Sequence, residues 1–250
     1  MDRTVHSTRT RELGFAAVLA LALAFVGGAV VPAAAAPSGD PTVQLGSSAG
    51  LAPDGKSVTI DVIASCPDRW RPVQATVTIT QPQATGQGQI PIFSCNGSAR
   101  PFRVTVGSTG GVFKLGAAQA TAVVVVERGK TRRAQDSDAI QLDPTIEVRL
   151  PGAVGLIGGG EALAAGVSTA CPPGATGAQS YVTISQGNTV GSGTFTPVCD
   201  GTQHGIGLTV TASQGTYHVG LSDGTAFAFI EEGGDTFSGV DQGAIEIYED

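Results

Sequence analysis

The chain has 250 residues with 36 glycines and 14 prolines, 14% charged side chains, and a formal net charge of −7 from 14 Lys/Arg against 21 Asp/Glu. Such an acidic balance excludes nucleic acid as the general partner. The apolar fraction of 41% is enough for a buried core, yet the long amphipathic periodicity of a helical protein is missing.

Residues 1–36 read as a signal peptide. Arg3, Arg9 and Arg11 form a basic start, Leu13 to Val31 is uncharged and apolar, and Pro32 with Ala33 to Ala36 supplies small residues for cleavage after Ala35 or Ala36. There is no Arg-Arg pair and no cysteine at the junction, so general secretion without a lipid anchor is expected. The alternative is an uncleaved anchor, since this run is close to the minimum bilayer span.

The rest of the chain is one module written twice. Cys66-Pro67 and Cys171-Pro172 are each followed by a second cysteine, Cys95 and Cys199, at offsets of 105 and 104 between the halves. Val77-Thr78-Ile79-Thr80-Gln81 matches Val182-Thr183-Ile184-Ser185-Gln186, and Cys95-Asn96-Gly97 matches Cys199-Asp200-Gly201. The repeats are residues 37–143 and 146–250, with Asp143-Pro144-Thr145 as a short linker. Four cysteines in an exported chain imply two disulfides, and duplication favours the local pairing Cys66–Cys95 and Cys171–Cys199. A thiol metal site is excluded, since each half holds two cysteines without C-x-x-C spacing.

Short runs rich in β-branched residues predict an all-β fold of two tandem β-sandwiches, about seven strands each. In the first repeat the strands fall near 42–45 (A), 57–64 (B), 74–80 (C), 87–93 (D), 102–106 (E), 118–127 (F) and 139–142 (G). In B, Val58, Ile60 and Val62 alternate with Thr59, Asp61 and Ile63. Val123 to Val126 reads as a central strand covered on both faces. The second repeat follows the same plan, with Phe227, Phe229 and Ile230 in F and Gly158-Gly159-Gly160 as a flexible A–B turn.

If strands alternate up and down, the B–C, D–E and F–G loops share one end of each sandwich, where the cysteines meet. In the first repeat that end carries Arg69, Trp70, Arg71, Arg100, Arg128, Lys130, Arg132 and Arg133, the candidate partner-binding set. Trp70 is either a stacking residue for a ligand or folded over its own disulfide. The matching end of the second repeat carries Asp200, Glu231, Glu232, Asp235 and Asp241, a weak candidate set for Ca²⁺. Residues 37–145 sum to +2 and residues 146–250 to −10. A basic end on an exported protein suits an anionic cell-wall polymer, a lipid headgroup or an acidic protein surface.

No catalytic residues stand out. Beyond the leader only His204 and His218 remain, and no G-x-S-x-G elbow, H-E-x-x-H helix or phosphate loop is present. No cofactor is implied.

The sequence Cys-Pro, Val-Thr-Ile-Thr/Ser-Gln, Cys-Asn/Asp-Gly and a late Thr-Ala strand resembles the secreted immunoglobulin-like modules of high-GC Gram-positive bacteria, over nearly all of residues 37–250. The resemblance implies a scaffold without naming a site. Val219-Gly220-Leu221-Ser222-Asp223 looks like a stretch in neocarzinostatin-type chromophore carriers, though those hold two disulfides per domain. The expected function is a secreted non-catalytic binding or cell-envelope interaction module. A carrier of a small apolar ligand is second, and a secreted hydrolase third.

Overall fold

Alternation sets the core. In the computed structural model, which describes residues 39–249, Val58, Ile60, Val62 and Ala64 are at most 1% exposed while Asp61 and Ile63 face solvent. The signal-peptide expectation for residues 1–36 lies outside the described residues. The first repeat forms β1 (Thr42–Leu51), β2 (Ser57–Ser65), β3 (Arg71–Gln81), β4 (Ala84–Gln89), β5 (Arg100–Gly110), β6 (Gly116–Glu127) and β7 (Thr131–Pro144). The second forms β8 (Glu147–Arg149), β9 (Ala153–Ile157), β10 (Ala162–Ala170), β11 (Thr176–Gly177), β12 (Ser180–Gln186), β13 (Thr189–Phe195), β14 (His204–Gln214), β15 (Gly220–Glu232) and β16 (Asp235–Tyr248). Each repeat packs its own hydrophobic cluster. Apart from a 3-10 turn at Gly158–Gly160, the described residues are all-β, as the sequence predicts.

The expected pair of facing sheets closes along both edges. In the first repeat the order is β1-β2-β5-β4-β3-β6-β7, and β1 pairs antiparallel with β2 and parallel with β7. β4 joins β3 to β5. The second repeat closes likewise, because β16 pairs with both β15 and β9. Closure leaves few open edges to aggregate.

Three strand expectations need correction. Strand D was expected at 87–93, whereas β4 ends at Gln89 and begins at Ala84. Its inward positions are Ala84, Gly86 and Gly88, small because the neighbouring strand is pressed close. A Cβ on Gly86 would meet the Phe113 ring, and one on Gly88 the Thr105 carbonyl. Strand G begins at Thr131 instead of 139, so Arg132 and Arg133 belong to a strand. Arg128, Gly129 and Lys130 form the turn, with Glu127 opposite Thr131. Finally, only alternate valines of 123–126 are fully enclosed: Val124 and Val126 are buried, Val123 and Val125 half-buried on the outer face.

The residues shared by the two repeats hold the backbone. Gln81 donates to the Lys114 and Ala117 carbonyls and accepts the Lys114 N–H, and Gln186 does the same with His218 and Leu221. The last residue of the five-residue motif is thus a clamp on the loop before β6 or β15. In the Cys-Asx-Gly motif, the Gly97 and Gly201 N–H groups bond the carbonyls of Cys66 and Cys171. Both glycines have positive φ, which a turn of this hand requires. The A–B turn at 158–160 is pinned, contrary to expectation. The Gly160 carbonyl accepts the N–H of Tyr217, a fully buried plug whose hydroxyl donates to the Ile184 carbonyl at 2.9 Å. Phe113 fills the matching position in the first repeat.

The linker is part of the fold. β7 runs through Pro144, and Thr145 bonds the Leu51 carbonyl through both its N–H and its hydroxyl.

Candidate functional site

The disulfides are Cys66–Cys95 and Cys171–Cys199, the local pairing that duplication favours. Strand register confirms the end assignment: Thr42 lies opposite Ser65, Ala64 opposite Arg100, and Arg71 opposite Glu127. The B–C, D–E and F–G loops of the first repeat therefore meet at one tip, where β1 also begins.

The candidate basic residues divide there by role. Arg132 points toward the interior side of β7, with its guanidinium 5.0 Å from the Trp70 ring centroid. It also bonds the Gly39 carbonyl and the Asp40 carboxylate. Trp70 is half-buried and packs against the core of the first repeat. Arg132 and Trp70 thus close the tip on each other, a cation–π contact worth about 1 kcal/mol at a partly exposed site. With its ring against the core and beneath Arg132, Trp70 is held by the fold.

Arg69, Arg71, Arg100, Arg128, Lys130 and Arg133 remain exposed. Arg71 reaches Glu127 at 3.4 Å and Arg69 reaches Asp68 at 3.3 Å, but exposed pairs of this kind leave the charge accessible. Arg133, opposite Val125, shares the outer face with Arg71 and Glu127. Arg69 has φ +65°, the one non-glycine residue in the left-handed region among the described residues. That conformation costs an arginine about 1–2 kcal/mol, so local stability did not select it.

The five carboxylates considered for calcium do not come together. Among the described residues no group of three His, Cys, Asp or Glu side chains is placed to hold a metal. Asp200 is committed to its own turn: its Oδ1 accepts the Thr202 hydroxyl at 2.7 Å, the Thr202 N–H at 2.9 Å and lies 2.9 Å from His204 Nε2. Asp241 is buried and accepts the Leu150 N–H at 2.9 Å. Glu231, Glu232 and Asp235 sit at the β15–β16 hairpin, where Glu232 faces Asp235.

Hydrogen bonds from Thr202 above all, with His204 beside it, hold the Asp200 carboxyl at about 2, down from 3.8. Because the folded value is the lower one, this stabilisation is complete above pH 3.8 and is lost as pH falls through about 2. A carboxyl ¹³C titration of Asp200 should give a midpoint near 2, moving toward 3.8 in Thr202→Ala; a midpoint of 3.8 in the unaltered protein would refute the contact. His204 opens β14 instead of lying in the preceding loop. Its Nε2 faces both Asp200 and Thr202, so one ring nitrogen serves both contacts. A nucleophile relay needs the two nitrogens to serve different partners. His218 is exposed and meets Gln186 only through its backbone.

Two surface groups were not legible in the sequence. Tyr181, Phe227 and Phe229 gather on the outer face of β12 and β15, with ring centroids 5.0 and 5.9 Å from Tyr181. The alternation Phe227, Ala228, Phe229 was the available signal. The other is Ile92 in the loop after β4, 91% exposed. A groove of about 280 Å³ crosses β8, β10 and β14 on their outer side, with Arg149, Gly166, Gly205 and Gly207 in its lining.

No family profile and no curated protein sequence matches the chain. Among solved structures, a tetra-tandem repeat from the extending region of a large adhesion protein is 16% identical with a TM-score of 0.30, over 83% of this chain and 49% of that one. The chain thus spans about half the length of that structure. A conserved domain protein from Bacillus anthracis is 11% identical with a TM-score of 0.27, over 82% of this chain and 86% of that one. The fibronectin(III)-like modules of Clostridium thermocellum CbhA are 15% identical with a TM-score of 0.24, over 83% and 94%. These likenesses assign no function.

Proposed function

We propose that the protein is an exported, non-catalytic binding module, whose first repeat holds an anionic partner at the cell envelope through its basic tip. The carrying observation is the convergence of Arg69, Arg71, Arg100, Arg128, Lys130 and Arg133 from three loops and the strand ends beside them, all exposed, on an otherwise acidic protein. Two disulfides suit an oxidising, extracellular setting. The left-handed Arg69 supports the same reading, because a strained residue that projects charge outward is better accounted for by binding than by folding. The shared residues of the two repeats build the scaffold, and the basic set is where the repeats differ.

Binding to an anionic wall polymer over a salt series tests this. Affinity should fall steadily as salt rises, since exposed charges are screened within about 10 Å at 0.1 M. Serine at Arg71, Arg100, Arg128 and Arg133 together should weaken binding at least about a hundredfold, taking roughly 1 kcal/mol per cation near an anionic surface. Arg69→Gly should weaken binding while raising stability by about 0.5 kcal/mol, because glycine relieves the left-handed strain. Salt-independent binding, or equal affinity in the fourfold variant, would remove the proposal.

A further inference from the structure

The tip is apolar as well as cationic. Ile92 is 91% exposed and Val73 is 47% exposed. Val73 is the extra residue of the bulge between Pro72 and Gln74, two positions after Arg71. Ile92 lies three residues before Cys95, whose bridge to Cys66 fixes that loop to the tip. The Ile90 N–H bonds the Ala75 carbonyl at 2.9 Å, which carries the β3–β4 ladder past Gln89 and leads Pro91 and Ile92 toward the start of β3. The fold does not use the Ile92 side chain. Ile90 and Phe93 on either side enter the core at 3% and 6% exposure, and Phe93 packs on Phe102 with centroids 5.0 Å apart.

A soluble polyanion offers nothing to an aliphatic side chain, whereas an anionic bilayer offers charge at the headgroups and an apolar phase just beneath them. The direction of the chain agrees. Arg132 binds the Gly39 carbonyl and the Asp40 carboxylate, so the 38 residues before them, with the apolar run Leu13 to Val31, join the fold at this same tip. Any form held through that run would present this tip to the membrane.

We infer that the partner is an anionic lipid surface, with the exposed arginines and Lys130 at headgroup level and Ile92 inserted beyond them. This rests on the reading of the tip as an anion-binding surface, and the test separates the two. The chain from residue 37, which contains both cores and both disulfides, is titrated with phosphatidylcholine vesicles with and without phosphatidylglycerol, and with soluble polyphosphate. Binding should require phosphatidylglycerol and weaken with salt. Ile92→Ser should lower vesicle partitioning roughly tenfold, the effect of withdrawing one aliphatic side chain from an apolar phase, and leave polyphosphate binding unchanged. Ile92→Trp should show a blue-shifted component quenched by brominated acyl chains, over the Trp70 signal as internal reference. Polyphosphate binding without vesicle binding, or vesicle binding equal in Ile92→Ser, would overturn insertion and leave the anionic tip standing. Binding to neither would overturn both.

Discussion

Serine at Cys171 and Cys199 is expected to lower the stability of the second repeat by about 3–4 kcal/mol, the loop-closure value for a bridge between residues 28 apart. The bridge joins the end of β10 to the loop before β14 and encloses β11, β12 and β13, so without it these three strands must be placed with no cross-link closing their loop. Against a typical domain stability of about 5–15 kcal/mol that is a large fraction. The effect should stay within its repeat. Trp70, the only tryptophan, belongs to the first core, so its fluorescence follows that repeat while far-UV circular dichroism follows both. Cys171→Ser/Cys199→Ser should split the two denaturation curves, the far-UV transition beginning at lower denaturant and the Trp70 transition staying in place. Cys66→Ser/Cys95→Ser should move the Trp70 transition by a similar amount. A coincident shift of both probes in either variant would show that the repeats unfold as one unit.

The sequence revealed this much because duplication is a measurement made twice. Any residue preserved across the repeats is tied to the backbone they share, and the structure gives Gln81 and Gln186, Gly97 and Gly201, and the cysteines such roles. A strand with large inward residues was readable by alternation, as in β2, whereas the unbroken valines of β6 masked the alternation that the structure shows there. β4 and β13 were harder, because their inward positions are Gly86 and Gly88, or Gly191 and Gly193, where closeness of backbones replaces side-chain burial and leaves no hydrophobic period. The polar first half of β7 hid its start for a related reason: its pairing with β6 rests on backbone hydrogen bonds, while Arg133, Gln135 and Ser137 face water. At the tip, charge could be counted from sequence, but the use of Arg132 on Trp70 and the exposure of Ile92 depend on which way one side chain turns.

Alanine at Asp241 is expected to cost about 2–3 kcal/mol, because it removes a buried carboxylate acceptor and leaves the Leu150 N–H without that partner. In the sequence Asp241 reads as one of the acidic residues at the loop end of the second repeat, yet it is 5% exposed and sits within β16, opposite Ala226. The parallel ladder between β9 and β16 begins at Ala153, so Leu150 lies ahead of its first strand carbonyl, and the Asp241 carboxylate takes its N–H. The first repeat solves the same problem identically: the β1–β7 ladder begins at Ser48, and Asp136 accepts the Leu45 N–H at 2.8 Å. Asp136 is only half-buried, so Asp136→Ala should cost less, about 1 kcal/mol, since water can replace the lost acceptor. Asn retains an oxygen in the right place, and Asp241→Asn should keep more than half of the stability that alanine loses. Thermal melts of the three variants rank these costs. Repeating the melts with calcium decides between a strand bracket and a metal ligand: the bracket leaves the unaltered protein's Tm indifferent to the ion, while a calcium-dependent rise abolished by Asp241→Ala would return this carboxylate to metal binding.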